Sequence, residues 1–341
     1  MSQFREALNK KNINYTEDRI SEIEEKIDKI KALKAEKDVV VLSHYYMPPE
    51  LQVPTDEGGI ADFTGDSLGL SMAASKAGSP HIVFCGVRFM AETAQILNPG
   101  RKVFIPEPAA GCSLAASISA SDVRGLKEQY PGVPVVAYVN TYAETKAEVD
   151  YCCTSRNAFD IAKSIPGDQL IFVPDYFMGK NLQGRIKEEA GKDMILWDGK
   201  CEVHEQFTKE SLKAIALENP DAELLLHWEV PDESVRSFLE QGRGMVGSTT
   251  DIIKHAGEST KDKFLVGSEC DLAATLKSTY PEKEFFSPCI ICPHMKSVDI
   301  DNTLNNLESI NTDHEVNFRS PVEPEIQERA LIPLQRMLQF G

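Results

Sequence analysis

Positive charge is scarce in this chain: 36 lysines and arginines face 53 aspartates and glutamates among 341 residues, a net charge of −17. So acidic a surface repels phosphate backbones over most of its area, and nucleic acid is excluded as a partner. No unbroken apolar run approaches the ~20 residues that a membrane helix needs, so no span is expected. The first residues, MSQFREALNKKN, have no apolar core behind their charges. They do not read as a secretory signal, and the chain is expected in the cytoplasm, where thiols stay reduced. No long Pro/Gly/Ser linker or low-complexity tract occurs, so the units should dock tightly. Among eight cysteines only Cys289 and Cys292 have the C-x-x-C spacing, whereas a structural zinc site usually needs two such pairs or one pair with spaced histidines. A zinc ribbon is disfavoured.

What is present is an ordinary globular composition, 42% hydrophobic and 26% charged, long enough for two or three compact units. Residues 16–37 place Ile20, Ile23, Ile27, Ile30 and Leu33 at spacings of three and four, the pattern of an amphipathic helix. Short apolar runs then alternate with helix-like stretches, as in βα units with buried parallel strands. The runs form three groups: 38–46, 81–87 and 102–112; 133–141, 169–177 and 193–201; and 222–230, 242–250, 263–269 and 285–293. The groups end on Cys112, Cys201 and Cys292, which lie 89 and 91 residues apart. That period predicts three similar α/β units. Packed around a pseudo-threefold axis, they bring equivalent strand ends, and these three cysteines, to the centre.

Three converging thiolates can bind three irons of a [4Fe–4S] cluster and leave the fourth open as a Lewis acid. Cys85 lies within an apolar run and reads as core filler. Cys152 and Cys153 are adjacent and cannot both readily hold one ion. Cys270 has no partner motif, and Cys289 reads either as a competing ligand or as a redox partner of its neighbour Cys292.

Polar residues at strand ends supply the rest of a site. His44, Tyr45 and Tyr46 follow VVVLS. Tyr138 and Asn140 end VVAYVNT, and Ser155 follows the double cysteine. His204 lies three residues past Cys201. His227 and Glu229 end LLLHWE, two apart and so on one side of an extended segment; burial is expected to raise Glu229 enough to shuttle protons. Ser67 in GDSL and Gly247-Ser248-Thr249 sit at helix starts, where N–H groups receive anions or the side chains simply cap. A GDSL-type esterase needs Asp-x-x-His, which occurs nowhere in the chain, and no Gly-Lys-Ser/Thr makes a P-loop.

Nine ordered motifs carry a resemblance: HYYMPPELQ (44–52), ADFTGDSLGLS (61–71), VFCGVRFMAETAQILNP (83–99), AAGCSLA (109–115), YVNTYAETKAEVDYCCTS (138–155), VPDYFMG (173–179), WDGKCEVHE (197–205), GSTTDII (247–253) and CIICPHM (289–295). Together they resemble the quinolinate synthase family, from about residue 35 to the carboxyl end. The resemblance implies three similar three-layer α/β/α domains with parallel sheets around a pseudo-threefold axis and the active site at the centre. The expected units are 1–112, 113–201 and 202–319, with the segment from about 320 to 341 packed on the first. It implies a [4Fe–4S] cluster held by Cys112, Cys201 and Cys292, and condensation of iminoaspartate with dihydroxyacetone phosphate to quinolinate for NAD biosynthesis. It places His44, Tyr46, Ser67, Tyr138, Asn140, Ser155, His204, His227, Glu229, Ser248 and Thr249 in the site. Glu229 and Tyr46 are the candidates for proton transfer, supported by His44 and His227, and transient contact with L-aspartate oxidase is implied. Two departures stand out: His227-Trp228-Glu229 where His-Pro-Glu is common, and Arg88 where His is common. The alternatives are an aconitase-type hydro-lyase and a cluster-bearing redox sensor; a sensor needs no closed polar pocket.

Overall fold

Every residue of Val39–His44 (β1) is buried, as a strand must be when helices cover both faces of its sheet. The structure, a computed structural model, describes residues 2–11, 15–240 and 242–340. β1 pairs in parallel with Phe63–Gly65 (β2) on one side and His81–Cys85 (β3) on the other, and Lys102–Phe104 (β4) extends the sheet beyond β3. The same order recurs twice. Val135–Tyr138 (β5), Tyr151–Cys153 (β6), Gln169–Val173 (β7) and Asp193–Leu196 (β8) form the second sheet; Glu223–His227 (β9), Gly244–Gly247 (β10), Lys263–Gly267 (β11) and Glu284–Phe286 (β12) form the third. In each, the first strand lies between the second and the third, and the fourth is at the edge. Three four-stranded parallel sheets with helices between their strands make three α/β/α units. Leu42, Val136 and Leu225 are fully buried in the three first strands, each such side chain contributing about 1.5–3 kcal/mol through removal from water.

Each group-closing cysteine is followed by one helical turn and then by a helix that packs on the next unit. After Cys112, Ala120–Gln129 packs on Ala143–Lys146 of the second unit. After Cys201, Lys209–Glu218 packs on Asp232–Leu239 and β11 of the third. After Cys292, Ile300–Ser309 packs on Glu17–Lys37, which itself covers β1 of the first. The ring closes through that last contact, fixed by Lys37 Nζ donating to the carbonyls of Leu307, Glu308 and Ile310. Residues 300–309, expected with the third unit, therefore pack on the first; Arg319 also bridges to Phe104 of β4.

The carboxyl-terminal helix Pro324–Leu338 straps the seam between the first two units, not the first alone. It packs on Arg88–Leu97 from one and on β6 and Ala143–Lys146 from the other, with Gln327 Nε2 donating to Gln95 O at 2.8 Å and Arg336 to Asp150 O at 2.6 Å. Among the described residues no helix is long and apolar enough to cross a membrane.

Candidate active site

The first strands of the three units end on His44, Tyr138 and His227, and two residues further on stand Tyr46, Asn140 and Glu229. All six line one cavity at the carboxyl ends of the sheets. The segments after the second strands add Ser67 and Thr249 at helix starts and Ser155 in a turn, and the loop after Cys201 adds His204. Ser248 is the exception among the expected residues: its hydroxyl is taken up in a capping box with Asp251, 2.7 Å from Oδ2 and 3.2 Å from the Asp251 N–H, and it does not line the cavity. Arg88 does not reach the cavity either; its guanidinium donates to Glu92 at 2.7 Å and lies 4.9 Å from the Tyr142 ring centroid.

Cys112, Cys201 and Cys292 lie on the same cavity wall as free, half-buried thiols. The other three free cysteines, Cys85, Cys152 and Cys153, are fully buried in β3 and β6. Gly199 lets the Cys201 loop approach the second unit: its amide donates to Pro174 O at 3.1 Å, and a Cβ there would stand 2.3 Å from Ser117 Oγ and 2.5 Å from that carbonyl. Burial pushes the Cys112 thiol up to about 12, Cys292 to about 11 and Cys201 well above its ordinary value. Three thiolates in this wall need a cationic group to hold them. Cys201, His204 and Glu229 bring one ligand atom each within 4.8 Å of one another, while Cys112 and Cys292 stand outside that group. The three thiols thus face one cavity without converging on a single ion, which suits a multinuclear centre.

Burial holds His44 at about 3, assisted by the charge of Lys296, and His227 at about 3, assisted by His204. Both are neutral near pH 7. The Tyr46 N–H donates to His44 Nδ1 at 3.1 Å, and the Glu229 N–H to His227 Nδ1 at 3.4 Å. The His44 ring, whose Nδ1 accepts, therefore carries its hydrogen on Nε2. Glu229 departs from expectation. Burial opposes its ionisation, but His204 at 3.4 Å, His227 at 3.5 Å and the Tyr138 hydroxyl donating at 2.7 Å outweigh it, and the carboxyl is lowered to about 2. The expected upward shift is reversed because these partners favour the charged form. Asp175, fully buried and next to β7, moves the other way: burial and the charge of Glu229 raise it well above its ordinary value. The two acids are thereby separated in protonation. Asn140 Oδ1 is buried and has no hydrogen-bond partner among the described residues, an acceptor left open at the cavity wall.

Glu269, fully buried and lining the cavity after β11, has no counterpart in the motifs. It accepts from the Cys292 N–H at 3.4 Å and lies 3.5 Å from Lys296 Nζ, which donates to Tyr46 O at 3.0 Å. Burial raises its carboxyl. Its only sequence signal is its position at the end of the run 263–269. Two readings of the cysteines are corrected. Cys270, which has no partner motif in the sequence, does have a partner, and Cys289 does not pair with Cys292; Cys270 and Cys289 form a disulfide with each other, 19 residues apart, where the Cys270 N–H meets Ile290 O at 3.0 Å and brings the two segments together.

The chain is similar in sequence to known proteins. The family model described as Quinolinate synthetase A protein matches residues 28–339. Quinolinate synthase of Caulobacter vibrioides (strain NA1000 / CB15N) is 38% identical over 316 residues, covering 92% of this chain and 81% of the relative. Quinolinate synthase 1 of Mesorhizobium japonicum is 39% identical, with 92% and 91% covered; quinolinate synthase of Sulfurihydrogenibium sp. (strain YO3AOP1) is 39% identical, with 92% and 98% covered. The chain belongs to the quinolinate synthase family.

Proposed function

We propose that the chain is a cytoplasmic quinolinate synthase of NAD biosynthesis, joining iminoaspartate to dihydroxyacetone phosphate with loss of phosphate and two waters. The observation that carries this reading is the meeting of three strand ends, His44/Tyr46, Tyr138/Asn140 and His227/Glu229, in one cavity walled by three free cysteines. Family membership and a cavity lined by His, Tyr and Glu side chains favour a synthase over an aconitase-type hydro-lyase or a redox sensor. The units are proposed as 1–112, 113–201 and 202–319, and transient contact with L-aspartate oxidase as the source of iminoaspartate.

Cys112, Cys201 and Cys292 would hold a [4Fe–4S] cluster. When bound, that group supplies an open iron, a Lewis acid toward hydroxyl and carboxylate oxygens. The protein's own residues do the remaining work. The neutral imidazoles of His44 and His227, with Ser67, Ser155, Thr249 and Asn140, hold carboxylate and phosphate oxygens without placing a second positive charge in the cavity. Glu229, ionised throughout the neutral range, acts as a base and fixes the Tyr138 hydroxyl; Tyr46 carries protons in enolisation, imine formation and dehydration. The net charge of −17 opposes anionic substrates at long range, so binding depends on these local donors.

The test is anaerobic purification, iron and sulfide analysis, and quinolinate formation for single Cys→Ala variants. Removal of Cys112, Cys201 or Cys292 is expected to abolish both cluster and product, whereas Cys85→Ala keeps both. A centre that survives in Cys112→Ala and Cys292→Ala but not in Cys201→Ala would instead be a single ion on Cys201, His204 and Glu229.

A further inference from the structure

The turns that follow the three first strands are not locked in the same way. Four residues after the strand-end residues His44, Tyr138 and His227 stand Pro48, Tyr142 and Pro231, so the second unit alone lacks the proline. In the first and third units the turn closes with an N–H bonded to the strand-end carbonyl, Met47 to His44 O and Val230 to His227 O, both at 3.0 Å. In the second unit the corresponding N–H, that of Thr141, goes instead to Val139 O at 2.8 Å, a tight turn centred on Asn140. The side chains at the three turn centres differ as well. Tyr46 Oη lies 3.1 Å from Thr249 Oγ1, and Glu229 accepts from the Tyr138 hydroxyl at 2.7 Å. The Asn140 side chain has no such anchor among the described residues, and its buried Oδ1 is left open. Where Asn140 stands is therefore set by its backbone.

That backbone is held by a lysine. Lys146, the last residue of Ala143–Lys146, is fully buried, and its ammonium folds back to donate to Thr141 O, the carbonyl of the residue after Asn140. Thr141 Oγ1 adds a bond to Tyr138 O at 3.3 Å. Lys146 Nζ also stands 5.6 Å from the ring centroid of Phe89, a cavity-lining side chain of the first unit. The start of the same helical turn is fixed from the first unit too, where buried Glu92 Oε2 accepts from the Ala143 N–H at 2.8 Å. An ammonium is costly to take out of water, and here it is spent on one carbonyl of the turn that carries Asn140.

We propose that Lys146 is a positioning residue for Asn140: its buried ammonium locks the second unit's strand-end turn through the Thr141 carbonyl, where the other two turns have a proline and a bond to the strand-end carbonyl, and so keeps the Asn140 amide at the cavity wall. This rests on the reading of Asn140 as a substrate-holding residue given above.

The test compares Lys146→Met, Asn140→Ala and the double variant Lys146→Met/Asn140→Ala with the wild type as anaerobically loaded holoenzymes. Hydrogen exchange over residues 139–142, read by mass spectrometry, is expected to quicken about tenfold in Lys146→Met, while residues 135–138 exchange as before. Lys146→Met is expected to raise KM about fivefold for the same substrate whose KM rises in Asn140→Ala, with kcat within about twofold of wild type. On top of Asn140→Ala it raises KM no further, because there is no amide left to place. A lysine that only packs the seam between the units would instead lower kcat and add its loss to that of Asn140→Ala. Unchanged exchange over 139–142 overturns the inference, as does a wild-type KM in Lys146→Met beside a raised one in Asn140→Ala, or two effects that add in full. Wild-type kinetics in Asn140→Ala with faster exchange in Lys146→Met removes the reading of Asn140 and leaves the lock standing, a separate failure. If Lys146→Met does not fold, Lys146→Gln, uncharged and one atom shorter, takes its place with the same expected ranking.

Discussion

The ends of β1 and β9 are built alike and do different chemistry. Each closes on a histidine, His44 or His227, followed four residues later by a proline, Pro48 or Pro231. In each the next residue's N–H bonds to the second strand, Tyr45 to Gly65 O and Trp228 to Gly247 O, both at 3.2 Å. The residue after that donates to the histidine Nδ1, and the turn closes with an N–H to the histidine carbonyl, Met47 to His44 and Val230 to His227, both at 3.0 Å. Each turn thus delivers a neutral imidazole and a second side chain two residues on. That second side chain is Tyr46 in one unit and Glu229 in the other. The backbone fixes where the two groups stand, and a single position in each turn decides what they do.

Exchanging the chemistry while keeping the turn should produce the largest effect. Glu229→Gln retains volume and hydrogen bonding but loses the charge that separates Glu229 from Asp175. It is expected to lower kcat about 10²–10³-fold, read as anaerobic quinolinate formation; a loss under tenfold would show that the two turns differ in name only. The second effect concerns what the turns share. Both histidines, held at about 3, take up protons on unfolding, where the ordinary value is about 6.5. Below pH 6.5 the unfolded state binds more protons than the folded one, so stability falls as the pH drops from 6.5 toward 3 and is unaffected by these groups above that window. Each histidine contributes up to about 1.4 kcal/mol per pH unit. The melting temperature should fall steeply between pH 6 and 5, and less so in His44→Asn or His227→Asn; equal slopes would remove the shared-imidazole account.

Much of this was legible in the sequence. The apolar runs and the 89- and 91-residue cysteine spacings announce three βα units, because parallel strands buried on both faces are unbroken apolar segments. β2 and β6 were not legible: FTG and YCC are three residues long and too short to show a run. Nor was the ring closure by Ile300–Ser309, since packing on Glu17–Lys37 joins segments more than 260 residues apart. In the site, strand-end positions singled out His44, Tyr138, His227 and their neighbours. Burial alone predicted the wrong direction for Glu229, because the partners that outweigh it come from β5 and from the loop after Cys201. Ser248 carried a helix-start signal that fits a cap and an anion site equally, and the structure uses its hydroxyl for the cap. The Cys270–Cys289 disulfide depended on a loop returning to a helix start, which no spacing encodes.

The smallest effect tests the position between the paired residues. All three first strands extend their ladder by one N–H past the strand end: Tyr45 to Gly65 O, Val139 to Cys153 O and Trp228 to Gly247 O. A proline at 228 would break that equivalence in the third unit, whereas Trp228 preserves it. The loss of proline's fixed φ is therefore offset by a hydrogen bond that proline could not make. Asn181 Nδ2 adds a clamp, donating to Trp228 O at 2.8 Å and Val230 O at 2.9 Å. Trp228→Pro removes the ladder bond, worth about 1 kcal/mol, and the packing of a half-buried indole, while stiffening the unfolded chain by about 0.4–1 kcal/mol. The net expectation is a loss of about 1 kcal/mol, a fall of about 2 °C in melting temperature, with kcat within about threefold of wild type because the Asn181 clamp still holds Glu229 in place. A tenfold loss of kcat would show that the ladder bond, and not the clamp, positions the carboxylate.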